Sequence, residues 1–170
     1  MNETEQKKVF DDWLVRHKGL LFKVVRAHAF NTHDREDLFQ EIVLAVWNSI
    51  PAFREESALT TWLYRVSLYS AIAWSKKEKK HTKKKQTLGS DDSILVQLPP
   101  VEDARLDWLY EQIAKLDEVD RSLMLLMLDG FSYRQMAETL GISESHVGVK
   151  LNRLKLQLKK VGRGAGTVAS

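Results

Sequence analysis

Asp34, Asp37 and Glu41 place three carboxylates close together in the sequence, as a carboxylate metal site would require. Positions 37 and 41 share one face of a helix, so a carboxylate metal site in an enzyme is one interpretation of them. No complementary histidine or nucleophile motif accompanies the three acids. Acidic residues in the first turn of a helix also have a simpler role, because they interact favourably with its N-terminal dipole. The sequence therefore disfavours a metalloenzyme and predicts no catalytic residues.

Other metal sites, cofactors and membrane spans find equally little support. Cysteine is absent, which excludes disulfides and zinc sites built on thiolates, and the five histidines are scattered. The longest apolar runs, 42–47 and 123–128, are six residues each, far short of the roughly 20 needed to cross a bilayer. The polar N-terminus leads into no apolar segment of a signal peptide. We therefore expect a cytoplasmic protein without a cofactor, a structural metal or membrane insertion.

Charge is distributed unevenly along the chain, although the formal net charge is only +3. Residues 76–85 contain seven lysines and one glutamate, and residues 143–170 have a net charge of +5. The segment 86–121, which follows the lysine run, has a net charge of −6. Basic segments of this density commonly contact phosphate, but a lysine run can equally be a solvated helix end or tail. Charge alone leaves both interpretations open.

The first 75 residues have the periodicity of an all-α domain. One helix is predicted after Asn31, with a buried stripe of Leu38, Ile42, Ala45 and Val46. The loop 51–57 interrupts the pattern. The next helix is predicted to bury Leu59, Leu63, Val66, Ser70 and Ala73.

A linker and a second all-α domain are predicted after this first domain. Residues 76–104 combine the lysine run with Gly, Ser and Asp residues and two adjacent prolines, a composition typical of a flexible linker. The second domain is predicted over 105–160, and the glycine-containing tail 161–170 is expected to fray. The predicted fold is thus two small helical domains joined by a flexible linker.

The end of the second domain has the pattern of a helix-turn-helix. Ser132 and Gln135 fit a capping box that begins a short helix, and the turn 141–143 leads into a longer basic helix. Such a helix has the dimensions to enter a major groove, where its early exposed residues would meet base edges. The apolar residues spaced for the core are Val147, Leu151, Leu154 and Leu158. An ordinary helical bundle with a basic surface helix is the alternative that the pattern leaves open.

Two stretches of the sequence resemble bacterial RNA polymerase sigma factors. Residues 34–41, DREDLFQE, and 59–66, LTTWLYRV, are similar to region two of that family. Residues 116–121, LDEVDR, followed by 130–143, GFSYRQMAETLGIS, are similar to region four. Because the two regions are joined directly by a linker, the chain resembles the extracytoplasmic-function (ECF) group, which lacks region three. The resemblance covers roughly residues 8–160.

This resemblance implies a sigma factor that binds core RNA polymerase, directs it to minus-35 and minus-10 promoter elements and holds the melted strand, with no chemistry of its own. Region two would span 1–75 and region four 105–160. The polymerase contact, with the clamp-helix coiled coil, falls on Asp37, Gln40, Glu41, Leu44 and Trp47. An exposed leucine and tryptophan fit a surface that a partner covers. Packing of Trp47 within its own domain is the alternative.

The resemblance also assigns capture of the non-template minus-10 strand to the 51–57 loop and the helix after it. The residues concerned are Phe53, Arg54, Ser57, Trp62, Arg65, Tyr69 and Lys76. Aromatic faces and nearby cations suit this task, because stacking contributes about 1–3 kcal/mol per base. The alternative is that Trp62 and Tyr69 are core aromatics. The chain departs from the family at Leu68-Tyr69, where an Arg-Asn pair is usual, and at Ala73, where an Asp is usual.

In region four, the resemblance implies minus-35 recognition by the last helix. Ser145, His146 and Val149 are expected to face bases, and Lys150, Arg153 and Lys155 to contact phosphates. Gly148 stands where the family commonly has Lys, and a glycine inside a helix costs about 1 kcal/mol relative to alanine. The family also implies an anti-sigma partner. A helix-turn-helix regulator that is not a sigma factor is the alternative, but it leaves the region-two motif unexplained.

Overall fold

The computed structural model describes residues 1–82 and 103–169, and the regular structure in these two ranges is helical. The first domain contains α1 (Glu3–His28), α2 (Thr32–Ser49), a short 3-10 helix (Ile50–Ala52) and α3 (Leu59–Thr82). The second domain contains α4 (Ala104–Ala114), α5 (Glu118–Leu128), α6 (Tyr133–Leu140) and α7 (Glu144–Ala169). Within these ranges, no helix combines the length and the apolar character needed to cross a membrane. The predicted all-α class with two helical domains is confirmed.

The N-terminal helix α1 begins at Glu3, within the polar N-terminal segment of the sequence. Asn2 caps α1, because its side chain accepts from the amide of Glu5 at 2.9 Å while the Glu5 carboxylate accepts from the Asn2 amide at 3.2 Å. This reciprocal capping box satisfies two backbone donors that would otherwise lack partners. The helix bends at His17, whose backbone angles are non-helical. It supplies the first domain with a long packing surface against α2 and α3.

Helix α2 buries most of its predicted stripe. Its N-cap is Asn31, which accepts from the Asp34 amide at 2.8 Å. The buried residues include Leu38, Ile42 and Val46, as the periodicity predicts, whereas Ala45 is only half-buried. The face on the opposite side of α2 is left exposed in the described structure.

The predicted buried stripe of α3 is wrong in part. Leu63 is buried as expected, but Leu59, Val66 and Ser70 are only half-buried and Ala73 is exposed. The side chains that are actually buried, together with Leu63, are Tyr64, Ser67, Leu68, Ala71, Trp74 and Ser75. The physical reason is that α3 packs not only on α1 and α2 but also on α5 and α6, so its buried face is rotated and wider than one domain would need.

Both predicted domain ends lie inside helices. Helix α3 continues to Thr82, so residues 76–82 of the predicted linker are helical, and residues 83–102 lie outside the described structure. The backbone of α7 is helical to Ala169, which differs from the fraying expected for 161–170. Lysine is a good helix former, and glycine weakens a helix by only about 1 kcal/mol, so neither composition by itself ends a helix.

The helix-turn-helix is built by local capping. Ser132 and Gln135 form the predicted capping box, with donor–acceptor distances of 3.1 and 2.8 Å. Gly141 ends α6 with a left-handed φ of 69°, a conformation that glycine adopts without penalty. Ser143 then accepts from the His146 amide at 3.0 Å at the start of α7. The predicted turn 141–143 is therefore confirmed.

The two domains pack against each other in this structure. Helix α5 contacts α1 and α3, α6 contacts α3, and α4 contacts α1. The seam includes a buried histidine, His28, whose imidazole Nε2 lies 3.4 Å from the Ser122 hydroxyl. Burial, reinforced by the nearby Arg121 charge, lowers the pKa of His28 to about 3, although Glu118 acts in the opposite direction. The imidazole is therefore neutral in the folded protein at physiological pH.

This buried histidine predicts acid-sensitive stability. Because its pKa is lower in the folded than in the unfolded chain, His28 contributes fully above its ordinary pKa of 6.5 and progressively less as the pH falls toward 3. We expect wild type to lose about 2 kcal/mol of unfolding free energy between pH 8 and pH 5 through this group. Urea unfolding at both values measures the loss. His28→Gln, which stays neutral, should lose clearly less, and equal losses in the two proteins would contradict the prediction.

Candidate polymerase and nucleic-acid interfaces

Three of the five predicted polymerase-binding residues are exposed, and the other two contact side chains of their own domain. Gln40 and Glu41 are exposed, and Leu44 is 58% exposed despite being apolar. Asp37 is half-buried and accepts from the Trp74 indole N–H at 2.9 Å. Trp47 is half-buried, with its ring edge-on to Phe10 at a centroid distance of 5.3 Å. The exposed residues are available to a partner, whereas Asp37 and Trp47 also hold the domain together.

The exposed side of α2 is longer than the sequence reasoning proposed. Asn48 is exposed and lies four residues after Leu44, so it continues the same face. We call Gln40, Glu41, Leu44 and Asn48 the α2 face. The i, i+4 spacing from Leu44 was the available signal for Asn48.

Within the described ranges, no three His, Cys, Asp or Glu side chains are arranged to hold a metal ion.

A cavity of about 610 Å³ lies beside the 51–57 loop. We call it the loop cavity, and its lining includes Phe53, Arg54, Ser57, Trp62 and Arg65, five of the seven residues predicted for the minus-10 strand. Thr61 and Glu56 of the first domain line it as well, and Glu138 and Thr139 come from α6 of the second domain. Because part of its wall comes from α6, the volume of the cavity depends on the packing of the second domain against the first.

Trp62 is held in place from its inner side. Its indole N–H donates to the Ser49 hydroxyl at 3.3 Å, and that hydroxyl donates in turn to the Val46 carbonyl at 2.8 Å. The Phe53 ring lies 5.5 Å from the Trp62 ring, and it also contacts the Trp13 ring edge-on at 5.4 Å. Trp62 is half-buried, so it both packs against the domain and lines the loop cavity. Sequence reasoning missed Ser49, for which no local signal exists.

The remaining residues predicted for the minus-10 strand lie along α3. The Arg65 guanidinium stacks over the Tyr69 ring at 5.6 Å, and both side chains are exposed. Lys76 is exposed further along the same helix. Leu68 replaces a residue of the usual Arg-Asn pair of the family. It is 0% exposed, so in this structure it is a core residue and not a DNA contact. Glu55 in the loop has a φ of 58°, a left-handed conformation uncommon for residues other than glycine.

The predicted minus-35 residues all lie on α7, and all of them except Lys150 are exposed. Ser145, His146, Val149, Arg153 and Lys155 are exposed. Lys150 is half-buried and forms an ion pair with Asp120 of α5 at 3.1 Å. Its charge is therefore partly satisfied within the domain. The Lys155 ammonium lies 3.4 Å from the Tyr133 hydroxyl, which leaves it at the surface of the helix-turn-helix.

Gly148, the departure inside α7, lies beneath the Tyr133 ring. A Cβ at position 148 would stand 3.6 Å from the nearest ring carbon, an ordinary van der Waals contact. Gly148→Ala should therefore raise the unfolding free energy by about 0.5–1 kcal/mol, since alanine restricts the unfolded chain and favours helix. Gly141→Ala should do the opposite, because φ is 69° there and the Tyr69 hydroxyl would lie 3.0 Å from the new Cβ. Urea denaturation of both variants tests this, and changes of the same sign would contradict it.

Comparison with known proteins agrees with this organisation. Residues 13–81 match the family model described as "Sigma-70 region 2". Residues 106–158 match the one described as "Sigma-70, region 4". RNA polymerase sigma factor YlaC of Bacillus subtilis (strain 168) is 29% identical over 140 residues, 79% of this chain and 80% of that protein. ECF RNA polymerase sigma factor SigX of the same strain is 27% identical over 174 residues, 93% of this chain and 86% of that protein.

Two solved structures share the fold. The sigma factor RpoE from Bartonella quintana, determined in complex with the anti-sigma factor NepR, matches with a TM-score of 0.70 at 18% identity, over 92% of this chain and 98% of that chain. CnrH, in complex with the cytosolic domain of CnrY, matches with a TM-score of 0.62 at 18% identity, over 93% and 90%. The family matches and the relatives together show that the chain belongs to the sigma-70 family, in its ECF group, and is a sigma factor that directs transcription initiation.

Proposed function

We propose that this sigma factor binds core RNA polymerase through the α2 face, captures an unpaired minus-10 base in the loop cavity and reads the minus-35 element with α7. The loop cavity is the observation that carries the proposal. It combines the rings of Phe53 and Trp62 with the cations Arg54 and Arg65 at one opening. Aromatic faces for stacking beside cations for the backbone are what single-strand capture requires.

The proposed mechanism is binding and not catalysis. An extruded base would stack on the Trp62 ring, and returning a few kcal/mol by stacking and hydrogen bonds offsets the cost of unpairing it. Ser49 fixes the indole from behind, so the ring is already oriented before DNA arrives. Arg65 is placed to pair with phosphate along α3. The polymerase supplies the chemistry, and we place the protein in the cytoplasm because its proposed partners, core polymerase and promoter DNA, are there.

We also propose an anti-sigma factor as a protein partner. The support is that RpoE was determined in complex with the anti-sigma factor NepR, and that CnrH was determined with the cytosolic domain of CnrY. These complexes concern other proteins of the same fold. For this chain, a bacterial two-hybrid or pull-down experiment from its own host would identify the partner.

Run-off transcription with core polymerase on a promoter library tests the whole proposal. We expect discrete promoter-dependent transcripts only when this protein is added to the core enzyme. A helix-turn-helix regulator that is not a sigma factor would bind DNA alone and would give no transcripts with core enzyme. Absence of both core binding and initiation, with protein shown to be folded, would overturn the proposed function.

The two kinds of residue on α7 should affect minus-35 binding differently. Arg153→Ala should weaken binding to all sequences and reduce its salt dependence, because one phosphate contact is lost. His146→Ala should change the preference among minus-35 variants instead, since His146 lies early on the exposed side of α7. Holoenzyme binding to a set of minus-35 variants at two salt concentrations measures both. If His146→Ala lowers affinity equally for every variant, its base-reading role is wrong.

A further inference from the structure

One carboxylate of the second domain joins two helices of the first. Asp129, which ends α5, accepts a hydrogen bond from the Tyr64 hydroxyl of α3 and pairs with the Lys23 ammonium of α1 at 2.7 Å. Tyr64 is 1% exposed, and the Phe131 ring contacts its ring edge-on at 5.3 Å. Burial and the Asp129 carboxylate raise the pKa of Tyr64, so the hydroxyl keeps its proton and remains a donor.

Further contacts between the domains surround this carboxylate. Lys79 of α3 pairs with Glu118 at the start of α5. The Arg121 guanidinium lies 4.9 Å from the Phe30 ring centroid, and Arg26 lies 5.5 Å from that of Tyr110. Together with the buried His28 and Ser122 pair, these contacts form a continuous seam with both polar and apolar parts. Within this seam, Asp129 stands out because its two carboxylate oxygens bond to two different helices of the first domain.

The seam has opposite consequences for the two proposed binding surfaces of the first domain. Glu138 and Thr139 of α6 form part of the wall of the loop cavity. The Tyr69 hydroxyl lies against Gly141 in the α6–α7 turn, since a Cβ at that position would stand only 3.0 Å from it. The Glu138 carboxylate pairs with Arg134 of the same helix at 3.3 Å, so the wall that α6 adds restricts an incoming strand by occupying space and not by charge. By contrast, the α2 face, with Gln40, Glu41 and Leu44, remains exposed.

We propose that Asp129 is the latch of a closed state in which the second domain covers the loop cavity while leaving the α2 face open to polymerase. The proposal rests on the proposed function of the loop cavity. Promoter geometry requires the latch to release, because the minus-35 and minus-10 elements lie roughly 25 base pairs apart, about 85 Å along B-DNA. In the closed state, α6 of the helix-turn-helix and Trp62 line the same cavity, so both elements cannot be engaged together.

The latch sets the fraction of molecules that can take up DNA. When only the open fraction binds, the apparent dissociation constant is the intrinsic one divided by that fraction. A hydrogen bond to a charged group contributes enough that its loss shifts an equilibrium by about tenfold or more. Removing the Asp129 carboxylate should therefore raise the affinity of the free protein for single-stranded DNA by about tenfold.

The test uses the full chain and three variants. Asp129→Ala removes both latch contacts, and Tyr64→Phe removes only the hydroxyl while keeping the ring that packs on Phe131. Glu111→Ala is the matched control, because it deletes an exposed carboxylate of α4 and so makes the same change in net charge as Asp129→Ala. The chain has no cysteine, so cysteines introduced at the exposed positions Val15 of α1 and Leu156 of α7 can carry a donor and an acceptor dye.

Two readouts decide the proposal. Energy transfer between the dyes should fall in Asp129→Ala and Tyr64→Phe but not in Glu111→Ala. Binding of a labelled pool of random single-stranded DNA should strengthen about tenfold in Asp129→Ala, and less in Tyr64→Phe, relative to the Glu111→Ala control. Unchanged energy transfer in folded Asp129→Ala would overturn the latch.

The second readout also separates the latch from the function of the cavity. If energy transfer falls while DNA affinity stays at the control value, the claim that the second domain covers the DNA site is wrong. Adding Trp62→Ala to Asp129→Ala should abolish the gain in affinity if the gain comes from the loop cavity. If the gain persists without Trp62, the proposed function of the cavity fails, whereas the energy transfer still reports on the latch.

Discussion

Replacing Trp62 with alanine should reduce promoter opening at every promoter sequence, with closed-complex formation less affected. The indole lines the loop cavity and offers the larger of its two aromatic faces, and loss of stacking costs about 1–3 kcal/mol per base. Opening should therefore fall by roughly fivefold to 150-fold. Permanganate reactivity of unpaired thymines in the holoenzyme complex measures the extent of opening directly.

Trp62→Phe is the matched control for this substitution. Phenylalanine keeps an aromatic face in the cavity but loses the hydrogen bond to Ser49, so it should retain most of the opening. Because Trp62 also packs against Phe53, both variants need circular dichroism to show that they are folded. Equal thymine reactivity in wild type and folded Trp62→Ala would mean that Trp62 serves packing alone, the alternative that the sequence left open.

Changing Leu44 to lysine should weaken binding to core polymerase by about tenfold or more while the domain stays folded. Leu44 is an apolar side chain at the centre of the α2 face, and truncation of such central contacts commonly costs more than 1 kcal/mol. A desolvated lysine at that position adds a further penalty. Competition binding to core enzyme against labelled wild type gives the affinity.

Val15 of α1 supplies the control, since it is also apolar and is 82% exposed in the same domain. Val15→Lys should leave core affinity unchanged. Asp37→Ala is a poorer probe of the interface, because Asp37 accepts the Trp74 indole N–H and its loss should also reduce stability. Full affinity of folded Leu44→Lys would remove the α2 face from the polymerase interface.

The second domain could be predicted from sequence because its structure is specified locally. The Ser132 and Gln135 capping box and the left-handed Gly141 are signals within a few residues of the elements that they end. The apolar residues Val147, Leu151 and Leu154 then follow helical spacing and are buried as expected, whereas Leu158, the fourth residue predicted for the core, is half-buried. Short-range rules were sufficient here because each cap and the turn are specified by residues that lie next to one another in the chain.

The misassigned parts depend on contacts between distant residues. The buried face of α3 was wrong because α5 and α6 of the other domain cover Tyr64 and its neighbours, which periodicity within one domain does not report. The Asp37–Trp74 hydrogen bond and the Lys150–Asp120 ion pair join residues 37 and 30 positions apart. Neither pair has a local signal, so the sequence could place these side chains on a surface but could not show that they were already engaged.

The continuation of α3 to Thr82 limits how far apart the two promoter elements can lie. Once the domains separate, only the chain between Thr82 and Asp103 connects their described ends, and a fully extended chain of this length spans at most about 75 Å. Each base pair of duplex between the elements adds 3.4 Å. The reach of this chain, added to the dimensions of the two domains, therefore sets an upper bound on spacer length. Every residue of the lysine run that belongs to helix α3 lowers that bound, because a helical residue advances only about 1.5 Å.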